Sequence, residues 1–147
     1  MNMTTIKNSN WISKVLLIAG AVEIVLGLLH FAMPMFVNHS PNLGSLDKGE
    51  TNFVTLCVFA VGILLVAMGC LTMVVSIRIK AWEGLLLPFL VVKSLLWCSR
   101  VGLELHFPVT IPLLYFHRPT TIVMPLLIAE TLLFIIPTAY IWRRELL

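Results

Sequence analysis

Charge is scarce in this sequence. Asp, Glu, Lys and Arg make up 12% of its 147 residues, about half the usual share of a soluble globular domain, while 59% are hydrophobic and the mean hydropathy is +1.00. That balance excludes an ordinary soluble domain and points to a membrane protein. Paired cysteines are missing too: Cys57, Cys70 and Cys98 are far apart, with no C-x-x-C, which argues against a dithiol redox enzyme. All three fall in apolar runs and read as small buried hydrophobes, although Cys57 and Cys98 share the outward half and could approach each other. No E-x-x-H or H-x-x-x-H pair offers metal ligands on one helix face, so no metal site is expected. No nucleophile elbow or triad signature surrounds Ser94 or Ser99, and no motif calls for a cofactor.

Long apolar runs, by contrast, are abundant. Four of them, about 14–36, 53–77, 84–103 and 120–141, can each cross a hydrocarbon core of roughly 30 Å. Little chain is left over, so residues 1–147 read as one transmembrane domain. The expected fold is all-α, an integral membrane four-helix bundle. The first run is longer than a signal-peptide core and lacks a clean cleavage site, so it reads as a retained span.

Of the ten Lys and Arg residues, all but Lys93 and Arg100 are dispersed near span ends, and they form no stripe for nucleic acid. Lys7, Lys14, Arg78, Lys80, Arg143 and Arg144 border one side, and only Lys48 and Arg118 the other. This bias places both termini in the cytoplasm. Trp11, Trp82, Tyr140 and Trp142 then fall near the cytoplasmic interface, where amphipathic rings are favoured.

Within span one, Gly20, Glu23, Gly27, His30 and Pro34 are spaced 3, 4, 3 and 4 apart and so share one helical stripe. Span two has no charge, but Thr55, Gly62, Gly69 and Ser76 recur every seven residues, the pattern of a close-packing seam. The short turn after it predicts that spans two and three are antiparallel neighbours. Span three carries Lys93, Trp97, Arg100 and Glu104 on one stripe, and its Pro88 predicts a kink. Residues 105–119 hold His106, Pro108, Pro112, His117, Arg118 and Pro119 among apolar residues. This Pro-rich stretch reads as an interfacial or re-entrant segment capping the outward face. Span four has one acid, Glu130, on a stripe with Thr120, Val123, Leu127, Phe134 and Pro137; Pro125 and Pro137 predict bends.

Ionisable groups inside a membrane usually face the bundle interior and mark function. By depth, Glu23, Lys93 and Glu130 belong to one central layer, with His30, Arg100 and Glu104 nearer the outside and His106, His117 and Arg118 at the outer rim. Two acids around one lysine leave an acid without a countercharge, which suits a proton-active or ligand-binding pocket. Three readings follow. One is a pocket for a small apolar or amphipathic molecule, in a protein that could also serve as an accessory subunit or homodimer. The second is an acid–base, isomerase-like enzyme on a lipid-like substrate, using Glu23, His30 and Glu130. The third is a structural ion-pair network.

The length, the four spans and Gly27-Leu28-Leu29-His30 in span one resemble the small bacterial four-helix membrane proteins grouped as DoxX-like. That resemblance implies a multipass protein of the bacterial cytoplasmic membrane, sometimes associated with respiratory or sulfur redox systems, and transfers no individual site residue. Sterol-isomerase-like four-helix proteins are an architectural analogue for the enzyme reading.

Overall fold

The computed structural model describes residues 9–37, 47–106 and 120–145. Four helices follow in order: α1 (Ser9–Val37), α2 (Lys48–Ile77), α3 (Leu86–His106) and α4 (Thr120–Glu145). Each is long and apolar enough to cross a membrane, so the chain is an all-helical, multipass integral membrane protein. The helices overlap the expected spans and mostly run a few residues beyond them.

The start of α2 precedes the expected span because the loop composition around residues 41–52 hides a capping signal. Asp47 accepts from the Glu50 backbone N–H at 2.8 Å, and Glu50 Oε2 accepts from the Asp47 N–H at 3.0 Å. This reciprocal box satisfies two N–H groups that a helix start otherwise leaves bare. The helix therefore begins before the apolar run does.

Pro88 does not kink α3. The helix opens at Leu86, so Pro88 sits in the first turn, where a missing N–H breaks no internal bond. The chain enters through successive turns over 78–85, and the Phe89 N–H reaches back to Leu85 O at 3.0 Å. Pro125 and Pro137 do lie inside α4.

The bundle is organised as two helix pairs, α1 with α2 and α3 with α4, joined by contact between α1 and α4. The expectation that α2 and α3 would be packed neighbours fails, since they share no comparable interface. Glycine explains the exchange of partners. A Cβ on Gly20 would lie 2.8 Å from Gly69 O, and one on Gly27 2.8 Å from Gly62 O, so the two backbones touch where any side chain would separate them. Such contact drives helix association in lipid, where apolar burial gives no net gain between helices. Ser13 and Ser76 close one end of this antiparallel seam, each hydroxyl donating to the other's carbonyl at 2.9 and 2.6 Å. Trp11 packs edge-on against Tyr140, with ring centroids 5.1 Å apart, which brings the start of α1 beside the end of α4.

The outside of the bundle is apolar. Leu28, Phe53, Leu56, Leu95 and Leu103 are all more than half exposed, whereas Glu23, Lys93, Glu104 and Glu130 are buried. This inversion of the soluble pattern is what lipid requires. The three cysteines are exposed and free, contrary to the expectation of buried positions. A thiol is apolar enough to face lipid tails without penalty, so hydropathy alone does not say which face it takes.

Candidate functional site: a polar layer across four helices

Glu23 projects from α1 into the centre of the bundle, where its side chain is 1% exposed. Its Oε1 pairs with Lys93 Nζ of α3 and accepts the Trp97 indole N–H, also of α3, at 2.9 Å. Lys93 and Trp97 are four residues apart, so one helix face presents both donors to the same carboxylate. The other oxygen, Oε2, lies 2.9 Å from the Thr72 hydroxyl of α2. That hydroxyl also lies 2.8 Å from Met68 O, and it has one proton for the two acceptors.

The fourth helix contributes Glu130 and Phe134. Lys93 Nζ stands 5.0 Å from the Phe134 ring centroid, a cation–π distance. Glu130 is within electrostatic reach of both Glu23 and Lys93 and is 1% exposed. Its Oε1 has no hydrogen-bond partner among the described residues. The layer thus contains two carboxylates and one ammonium, with the donors gathered on Glu23.

The expected central trio, Glu23, Lys93 and Glu130, is brought together. His30 is not part of it. Its ring Nδ1 lies 2.7 Å from Leu26 O of its own helix, and its Cβ faces the Gly62 position of α2. Arg100 and Glu104 pair along α3, Nη1 to Oε2 at 3.0 Å, with Glu104 enclosed and Arg100 at 40% exposure. His106 is exposed at the end of α3. His117, Arg118 and the Pro-rich segment lie outside the described residues. No group of three His, Cys, Asp or Glu side chains suited to a metal ion occurs among the described residues.

Two members of the layer were not singled out from the sequence. Trp97 belongs to the polar stripe of α3 but is not among the candidate site residues; its position four residues after Lys93 is the available signal. Thr72 falls outside the seven-residue repeat read on α2, a span without charge. It stands three residues after Gly69 and four before Ser76, on the same face as the glycine seam, so the seam aims it inward.

Comparison with protein-family models, curated proteins and solved structures yields no match. The functional reading therefore rests on the layer itself.

Proposed function

We propose that this protein uses its intramembrane polar layer to bind a small apolar or amphipathic molecule, with Glu130 as the group that receives the molecule's polar end. The supporting observation is the contrast within the layer: Glu130 is fully enclosed, and its Oε1 has no hydrogen-bond partner among the described residues. An enclosed carboxylate oxygen without a donor costs the desolvation of that atom. A ligand hydroxyl or amine that donates to it would offset this cost. A purely structural network accounts for Glu23, whose donors come from three other side chains, but leaves Glu130 without a role.

The same proposal places the chain in a bacterial cytoplasmic membrane with both termini inside, as the positive-inside bias and the DoxX-like resemblance imply. The acid–base enzyme that used Glu23, His30 and Glu130 together has less support, because His30 turns to its own helix.

The test is native mass spectrometry of the full chain extracted in mild detergent, followed by identification of whatever is retained. A stoichiometric lipophilic species bearing a hydroxyl or amine, lost on Glu130→Gln, is the expected result. A bundle that carries only detergent, or an adduct that survives Glu130→Gln, overturns the proposal.

A further inference from the structure

A second feature lies on the other side of α4, away from the polar layer. The α3–α4 seam opens into a groove of about 510 Å³ lined by Ser94, Ile135, Thr138, Ala139, Trp142 and Arg143. Its floor is dry in character although it contains two hydroxyls. Ser94 and Thr138 lie 3.1 Å apart within hydrogen-bond reach, and Thr138 also reaches Phe134 O at 2.7 Å. The hydroxyls are thus occupied with each other and with the helix, leaving an apolar trough. From Ile135 to Trp142 it runs about 10 Å along the helix, at 1.5 Å per residue.

The mouth of the groove is different. Arg143 forms one wall and is exposed, with no ion pair among the described residues. Its neighbour Arg144 lies over the Tyr140 ring, 4.9 Å from the centroid. Trp142, also lining the groove, is 53% exposed, as an interfacial ring would be. The contacts of Ser13 with Ser76 and of Trp11 with Tyr140 gather Lys14, Arg78 and Lys80 at this same end. It therefore has five cations against the acids Glu83 and Glu145 among the described residues.

We infer that this groove is a binding site for an anionic phospholipid of the leaflet at the α4 C-terminus. One acyl chain lies in the trough between Ser94 and Ala139, and the phosphate is held by Arg143. Basic positions between spans at the membrane surface attract anionic headgroups, and a guanidinium presents donors in a fork that matches phosphate oxygens. The apolar trough adds what a bare surface charge lacks, a fixed seat for the chain. Charge complementarity favours a lipid over a second copy of this protein, because a copy would bring its own cations to the same end.

The experiment uses the full chain in detergent, titrated with phosphatidylglycerol or phosphatidylcholine of the same acyl chains and read by native mass spectrometry. Phosphatidylglycerol should be retained in preference to phosphatidylcholine. Arg143→Gln should reduce that preference by about fivefold, the worth of one cation at an anionic surface. Arg144→Gln should leave most of it, since that guanidinium is turned onto Tyr140. Ala139→Trp, which fills the trough from a surface position, should abolish retention of the bound lipid with both arginines intact. Equal retention of the two lipids overturns the inference, as do equal losses from Arg143→Gln and Arg144→Gln, which would mean diffuse attraction. A shift from dimer to monomer on Ala139→Trp also overturns it by assigning the groove to a second copy.

Discussion

Glu23 and Glu130 are two carboxylates in one layer, each 1% exposed, yet their surroundings are opposite. Glu23 has an ammonium, an indole N–H and a hydroxyl directed at it from two other helices. Glu130, on α4, has no hydrogen-bond donor for its Oε1 among the described residues. Burial alone therefore does not define a site. What separates a fastening from a candidate binding group is whether the fold supplies the donors that an acid needs. Glu23 ties α1, α2 and α3 together, whereas Glu130 adds negative charge without adding a tie.

The comparison is broken most severely at Glu23. Glu23→Ala strands Lys93 and removes the acceptor of Trp97 in the same step. Removing one partner of a buried ion pair typically costs about 3–5 kcal/mol, so loss of the folded protein from the membrane, or a large fall in its thermal unfolding midpoint in detergent, is expected. Glu23→Gln keeps the shape and still leaves a buried ammonium facing an amide. Adding Lys93→Met to Glu23→Gln should restore much of the lost stability, because a buried ion pair can be replaced by apolar packing at little net cost. If the double variant is no better than the single one, the ion pair is not what makes Glu23 important.

Trp97→Phe is a smaller break on the same side. It removes the indole N–H from Glu23 Oε1 while keeping an aromatic ring at a buried position of α3. A hydrogen bond to a charged group is worth about 1.5–3 kcal/mol, so the unfolding midpoint should fall measurably but less than for Glu23→Ala. Thr72→Val should cost less again, about 0.5–1 kcal/mol, because its proton is shared with Met68 O. Thermal melts of the two variants side by side check this order; a larger loss from Thr72→Val would mean that the α2 contact dominates.

How much of this arrangement was legible in the sequence follows from what helical spacing encodes. Apolar run length gave the four spans, and the 3-and-4 spacing around Glu23 and around Lys93 gave the faces that turn inward. Depth along each span then grouped Glu23, Lys93 and Glu130. Partner choice was not legible in the same way. The short connection suggested α2 beside α3, while the matched glycines of α1 and α2, both visible as seven-residue repeats, determined the actual pairing. Reading the two repeats against each other would have found it. Thr72 was hidden because one hydroxyl barely alters the hydropathy of a span, and spacing puts His30 on the Glu23 stripe without showing that its ring Nδ1 lies 2.7 Å from Leu26 O. Spacing locates a residue on a face, and only the neighbouring helix decides what meets it.

The smallest effect on stability is expected at Glu130, and it is the most informative. Glu130→Gln replaces an acid that fastens nothing with an amide of the same shape. The substitution removes a negative charge from a layer that already pairs Glu23 with Lys93, and the amide nitrogen can donate where the carboxylate could not. The unfolding midpoint in detergent should therefore stay within the range of a surface substitution, about 0.5 kcal/mol in either direction. A large destabilisation would show that Glu130 is a structural countercharge to Lys93, and the two acids would then differ only in degree. An unchanged midpoint would leave the enclosed carboxylate with no structural task, so its presence at the centre of a lipid-facing bundle would have to be explained by what it binds.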